Sequence, residues 1–238
     1  MARASDALRV LTWNLYHGRS LPPAGRQLAA EFTSRLASWE WDVALLQEVP
    51  PWWPAPIARA AGAEQRVALT SRNAGLFVRR ALARRWPDLI KSNGGGCNAI
   101  LARAPVIEHR ALRLRSWPER RVAQLARLRT GICVVNFHAS ARAALAEEEL
   151  ERLCIRALAW TGEAPLILGG DLNLRSPAVP APELIHVARR DVDHLFARGL
   201  EPAAEAQQLD RGVMLAGTRV ELSDHVPLAV SLRESTES

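Results

Sequence analysis

The sequence predicts an α/β chain in which two β-sheets pack face to face with helices outside, and three observations carry that prediction. Short runs rich in Val, Leu and Ile alternate with Gly, Pro and Asn turn signals, the pattern of many short strands. The clearest helical periodicity lies between two blocks of such strands, which suggests two sheets rather than one. Polar residues of a few kinds also recur just past the ends of apolar runs, from residue 14 to residue 225.

Leu8 to Leu15 reads as the first strand, followed by a Gly/Pro turn and a helix over Ala24 to Ser38. Asp42 to Gln47 is a second strand. Pro50-Pro51 then opens a short helix over Trp52 to Ala61, since proline tolerates a first helical turn. Gln65 to Leu69 and Gly75 to Val78 suit a hairpin, and Asn93 to Gly96 a flexible loop that returns as a strand at Asn98 to Ala102. Val106 to Leu114, Ala123 to Leu128 and Ile132 to Phe137 form a meander, with Arg129-Thr130-Gly131 as a tight turn. Arg142 to Trp160 is the best helix. Ala146, Leu150, Leu153, Cys154 and Ala157 share one apolar face, and Glu147 to Glu149 suit its N-terminal end. Leu166 to Gly169, Val192 to Phe196 and Val226 to Leu232 complete the strands, and Glu234 to Ser238 should fray.

A chain of 238 residues, 48% apolar and 24% charged, can bury one large core, so a single domain over 1–238 is expected, its core at about 8–232. No apolar run reaches the roughly 18 to 20 residues of a membrane span. Met1 to Leu8 lacks a signal-peptide pattern, so the expected location is cytoplasmic. Three widely spaced cysteines, Cys97, Cys133 and Cys154, argue against a disulfide framework or a Cys-x-x-Cys zinc site. The net charge of +6 and a pI near 10.4 suit a polyanionic partner. Lys91 is the only lysine among 31 basic residues, however, and such a bias can also come from coding composition.

The polar outcrops are Trp13-Asn14, Gln47-Glu48, Asn136-Phe137-His138, Gly170-Asp171-Leu172-Asn173, Val192-Asp193-His194 and Ser223-Asp224-His225. A partly buried charge must be paired or bound to metal, so strand ends are costly places for carboxylates and imidazoles. Each has a structural explanation by itself: Asn14 as a turn residue, Glu48 as a rim charge, His138 as a core histidine, Asp171 and Asn173 as turn caps. Six separate explanations are less economical than one shared site.

In their order along the chain these segments, together with Thr12 to Leu15, Asn98 to Arg103 and Ser223 to Leu228, resemble the endonuclease/exonuclease/phosphatase superfamily. The resemblance runs over about residues 8 to 232 and implies a four-layer αββα sandwich like that of deoxyribonuclease I. It also implies metal-dependent hydrolysis of phosphodiesters by in-line attack of water. On this resemblance Glu48 and Asn14 hold Mg²⁺, for which Mn²⁺ can substitute, and Asp224 reaches the same ion or a second one. Asp171 and Asn173 position the water and the non-bridging oxygens, His225 meets the water or a phosphoryl oxygen, and Asp193 orients the His225 imidazole. His138 acts as general acid or phosphate ligand; a histidine there points away from abasic-site repair, where a tyrosine is usual. Asn98 and Arg103 are expected to bind substrate.

DNA is the expected substrate. Phospholipid head groups or other small phosphoesters are the alternative, and a non-catalytic nucleic-acid-binding module is a third reading. Arg120-Arg121 either line the cleft or solvate a strand end, and His194 carries no catalytic expectation. Trp52-Trp53 read as packing residues rather than a stacking lip. His17 lies in a cleft-side loop within reach of substrate, although solvent exposure is the ordinary expectation there.

Overall fold

A computed structural model describes residues 7–71, 73–89, 96–179 and 181–235. In chain order the strands are β1 (Leu8–Asn14), β2 (Ser20–Leu21), β3 (Val43–Val49), β4 (Glu64–Leu69), β5 (Cys97–Ala102), β6 (Val106–Arg115), β7 (Arg121–Leu128), β8 (Cys133–His138), β9 (Leu166–Asp171), β10 (Ile185–Arg190), β11 (Asp193–Arg198), β12 (Leu200–Pro202), β13 (Gln207–Gln208), β14 (Gly212–Leu215), β15 (Thr218–Leu222) and β16 (Leu228–Glu234). The helices are α1 (Ala29–Ser38), α2 (Pro54–Ala61), α3 (Leu76–Arg85) and α4 (Ala143–Thr161).

One mixed sheet runs β12-β16-β1-β3-β5-β4, with β13 also on β16; a second runs β10-β11-β9-β8-β7-β6. The strands alternate faces, so Val10, Val43, Leu45 and Ile100 of the first sheet meet Ala126, Val134, Ile167 and Leu195 of the second in a central apolar layer. The opposite face of the first sheet packs Leu11, Trp13, Ala44 and Leu46 against Phe32 and Leu36 of α1 and Ile57 of α2. The opposite face of the second packs Val135, Phe137 and Leu168 against Ala146, Leu150, Leu153 and Ala157 of α4. The order is helix, sheet, sheet, helix, the αββα sandwich.

Pairing directions decide which strand ends share a rim. β1 and β3 are parallel, with Asn14 beside Gln47, so both end on one side. β8 and β9 are likewise parallel, with His138 beside Asp171. β11 and β16 run antiparallel to β9 and β1, so they begin where their neighbours end, with Asp193 opposite Asp171 and Leu228 opposite Thr12. β7 begins there too, because Gln124 pairs with Asn136 in an antiparallel ladder. One rim therefore collects residues from all along the chain.

Several expectations need correction. Residues 75–78 form no hairpin with β4. Leu76 to Val78 open α3, with Phe77 and Val78 outward and Ala83 buried one to two turns on, and β4 pairs with β5 instead. α1 starts at Ala29 rather than Ala24, because Pro22, Pro23 and Gly25 (φ +66°) hold the preceding segment out of helical geometry. α2 starts at Pro54, leaving Trp52-Trp53 in the turn before it. Glu149 is not a solvated helix-end charge: it is fully buried, accepting from Ser140 N and Oγ at 2.9 and 2.7 Å and pairing with Arg115. The expected loop at 93–96 lies outside the described residues except for Gly96. Among the described residues no helix is long and apolar enough to cross a membrane.

Candidate active site

Beneath the shared rim, the two sheets are joined by buried carboxamides. Gln47 Nε2 donates to Asn136 Oδ1 at 2.8 Å and to Thr12 Oγ1 at 3.2 Å, and Asn136 Nδ2 donates to the Leu46 and Ala99 carbonyls at 3.0 Å. These two residues, expected among the outcrops, form the floor that fixes the sheets against each other. Gly170 (φ +136°) lets this floor close up: a Cβ there would fall 2.0 Å from the Phe137 carbonyl oxygen and 3.0 Å from Gln47 Nε2.

Above the floor, Asp171 is almost fully buried. Its Oδ2 accepts from Asn14 Nδ2 at 2.8 Å and its Oδ1 from the Asn173 backbone N–H at 3.0 Å. Two imidazoles face the same Oδ2, His138 Nε2 at 3.4 Å and His225 Nε2 at 3.7 Å. Asn173 takes left-handed angles (φ +52°) and donates through Nδ2 to the Ala139 carbonyl at 3.0 Å, which ties the turn after β9 to the end of β8. Asp193 Oδ2 lies 2.8 Å from His225 Nδ1, so Nδ1 carries the proton of that bond and Nε2 is aimed at Asp171. Ser223 holds the 223–225 turn on the end of β1, donating from Oγ to the Asn14 carbonyl at 2.6 Å, and the Trp13 indole donates to the His225 carbonyl at 3.0 Å. Asp224 is the most open of the set and lies 4.0 Å from His225 Nε2. A cavity of about 220 Å³ beside Asp193, Asp224 and His225 is also lined by Arg190 and Asp191.

Burial and like charge work against ionisation of Glu48. Desolvation first, then Asp171 and Asp224, push its carboxyl from 4.5 up to about 7. His138 goes the other way: burial, reinforced by Arg121 and His225 against the pull of Asp171, lowers it from 6.5 to about 4, so it is neutral at pH 7. Burial also pulls on His225, but the Asp193 hydrogen bond and the charges of Asp193, Asp171 and Asp224 outweigh it and raise the imidazole to about 9. His225 is therefore a cation at neutral pH. Asp193 is held above the ordinary carboxylate range by burial, against the hydrogen bond and charge of His225.

These residues fit a divalent cation. Asp171 and Asp224 lie close enough to Glu48 to disfavour its charge, and Asp193 Oδ1 is buried without a hydrogen bond among the described residues. Among those residues no three His, Cys, Asp or Glu side chains are grouped as a metal cage.

Asn98 and Arg103 do not join the cleft. Asn98 is fully buried and donates to the Val122 carbonyl at 2.9 Å, a clamp between β5 and β7. β5 runs antiparallel to β3, with Ala102 opposite Val43, so Arg103 emerges at the far rim and stacks on Trp41 with its guanidinium carbon 4.9 Å from the ring centroid. His194 is buried between His186, at 3.0 Å, and the Leu174 carbonyl, at 2.6 Å. Trp53 is a core residue under Gly18, and Trp52 carries Arg80 over its ring.

Two residues of the site had only weak sequence signals. Arg121, at the start of β7, is buried beside the site, near enough to lower both Glu48 and His138, and donates to Glu119 at 2.7 Å. The sequence offered Arg120-Arg121 either as cleft lining or as a solvated strand end, and the pairing of β7 with β8 places Arg121 at the rim. His17 is also buried, with Nε2 3.2 Å from Glu48 Oε2. Sequence placed it in a cleft-side loop but expected it to face solvent; its burial depends on left-handed angles at Tyr16 and His17.

The fold is shared with solved structures of low sequence identity, which bear on the fold alone. An endonuclease/exonuclease/phosphatase protein from Beutenbergia cavernae superposes with a TM-score of 0.70 at 20% identity, over 96% of this chain and 72% of that one. TDP2 from Caenorhabditis elegans gives 0.68 at 15%, over 95% and 74%. The human Nocturnin catalytic domain, solved with a bound sulfate, gives 0.69 at 16%, over 96% and 94%. A search of curated protein sequences finds no match. The model of the Endonuclease/Exonuclease/phosphatase family matches residues 11–225. With nearly the whole described fold inside that match, the chain belongs to the endonuclease/exonuclease/phosphatase family.

Proposed function

We propose that this protein hydrolyses phosphodiester bonds in nucleic acid, DNA first, with a divalent cation, Mg²⁺ or Mn²⁺. One observation carries the reading: Asn14, Glu48, His138, Asp171, Asn173, Asp193 and His225 meet at one rim, although they span the chain from end to end. Glu48 and Asn14, with Asp224, would hold the cation, which when bound would supply charge stabilisation at the phosphate. The chain's own groups supply position and proton control. Asp171 Oδ2 accepts a hydrogen bond from a water, and the Asn14 amide and Asn173 backbone keep that carboxylate in one orientation.

With Nδ1 bonded to Asp193 and burial outweighed by the carboxylates around it, His225 favours its protonated form in the metal-free protein, which suits a donor role. Its Nε2–H donates to a phosphoryl oxygen, and Asp193 stabilises the imidazolium. We assign His138 the phosphate-ligand role: burial favours its neutral imidazole, which donates one hydrogen bond to a phosphate oxygen. Arg121 replaces Asn98 and Arg103 as the substrate-binding side chain.

Two basic surfaces support a polyanion. α3 carries Arg79, Arg80, Arg84 and Arg85 without an acidic residue, and Arg175, Arg189 and Arg190 line a cleft next to Asp191. Trp117 and Phe77 are largely exposed and suit base stacking. Val78 and Leu89 are exposed too, and aliphatic side chains stack poorly, so a phosphodiester at a lipid surface is the second reading. Nicking of supercoiled plasmid in Mg²⁺ or Mn²⁺, abolished by EDTA, is the expected result. Intact plasmid alongside hydrolysis of sphingomyelin vesicles or bis-p-nitrophenyl phosphate would transfer the assignment to the second reading.

A further inference from the structure

His17 has no part in the chemistry above, yet it is one of the most deliberately placed side chains at the rim. Tyr16 (φ +48°) and His17 (φ +53°) take successive left-handed conformations that non-glycine residues adopt at a cost of about 1 kcal/mol or more each. The chain turns back immediately after Asn14 and carries the imidazole into the cleft, where it is 8% exposed. One ring edge abuts Gly96, where a Cβ would come 3.3 Å from His17 Cε1. The other edge faces Glu48, with Nε2 3.2 Å from Oε2.

We infer that His17 is a nitrogen ligand to the divalent ion held by Glu48, and that it biases the site toward ions that accept imidazole, Mn²⁺ and Co²⁺, over Mg²⁺. The inference rests on the metal-binding reading of the site. Adjacent ligands of a six-coordinate ion with bonds of about 2.1 Å lie about 3 Å apart. The 3.2 Å between His17 Nε2 and Glu48 Oε2 is such an edge, so both atoms can face one ion without a change of backbone. Mg²⁺ strongly prefers oxygen, whereas an imidazole nitrogen favours first-row transition ions, increasingly from Mn²⁺ to Co²⁺ and Ni²⁺. A site of carboxylate and carboxamide oxygens alone has no such bias; one nitrogen at Glu48's shoulder introduces it.

The test is electron spin-echo envelope modulation of the full chain loaded with Mn²⁺, with affinity measured by the free-Mn²⁺ resonance signal. The expected result is modulation from a directly bound ¹⁴N. It should change to the ¹⁵N pattern in protein grown on ¹⁵N-histidine, disappear in His17→Gln and persist in His225→Gln. Mn²⁺ affinity should fall about tenfold or more in His17→Gln, with a smaller change for competing Mg²⁺. The isotope swap needs no substitution, so a His17 variant that folds poorly leaves the result readable. Absence of directly bound nitrogen in the wild-type protein, or its survival in a folded His17→Gln protein, overturns the inference. If Glu48→Gln abolishes Mn²⁺ binding in that case, the metal-binding reading stands and only the role of His17 falls. No Mn²⁺ binding by the wild-type protein at millimolar concentration overturns both.

Discussion

Replacing Asp193 by Asn should discharge His225 at neutral pH. The two side chains meet at 2.8 Å with little solvent around them, and His225 titrates at about 9 instead of 6.5. That difference corresponds to about 3 kcal/mol in favour of the charged imidazole, at about 1.4 kcal/mol per pH unit. It is a net figure, because burial opposes it. Breaking a buried ion pair of this kind costs roughly 3–5 kcal/mol, so Asp193→Asn should lower the His225 titration by about 2 pH units or more. Ring-nitrogen NMR of the metal-free protein reads this directly. The same linkage has a signed effect on stability: a raised folded-state value stabilises fully below about 6.5, and that stabilisation fades as pH rises through about 9. Between about pH 7 and 9 the wild-type unfolding free energy should lose about 2 kcal/mol on this account, and the Asp193→Asn protein should lose much less. A wild-type His225 titrating at or below 6.5, or one indifferent to Asp193→Asn, would refute the reasoning.

Three further outcomes follow from the same geometry. Gly170→Ala should fold poorly or melt far below wild type, since its Cβ meets the Phe137 carbonyl at 2.0 Å with φ at +136°; an unchanged melting temperature contradicts the packing of the floor. Asn136→Leu strands the Gln47 amide and two carbonyls between the sheets and should cost about 2–4 kcal/mol in urea unfolding, with a loss below about 0.5 kcal/mol counting against the network. Glu48 carries a proton below about pH 7 that a metal must displace, so calorimetry in buffers of different ionisation heat should detect proton release near pH 6. Apparent affinity should fall about tenfold per pH unit below that point, and a pH-independent affinity would argue against Glu48 as ligand.

Much of this arrangement was legible in sequence because strand ends and chemistry coincide. Asn14, Glu48, His138 and Asp171 each follow an apolar run whose pairing direction brings it to the same rim, and His225 stands just before one that starts there. Arg103 failed for the same reason in reverse. It follows an apolar run as well, but β5 is antiparallel to β3 and ends on the opposite side, a fact of register that no local pattern contains. Asn98 has the expected residue type at the expected end, yet it is turned inward to Val122. α3 was read as half a hairpin because Phe77 and Val78 are outward-facing apolar residues, which breaks the usual link between apolar character and burial. His17 depended on two left-handed residues that are neither glycine nor asparagine, so its turn into the cleft had no compositional sign.

The rate of phosphodiester cleavage by Asp171→Ala in saturating divalent cation tests the proposed chemistry most directly. Removing Asp171 relieves its repulsion on Glu48 but leaves Asn14 Nδ2 and the Asn173 N–H without their acceptor, so the rate is read on protein shown to be folded by circular dichroism. Its cleavage of supercoiled plasmid should fall by about three orders of magnitude. A folded Asp171→Ala protein that cleaves within about tenfold of the wild-type rate would contradict the assignment of this rim as the active site.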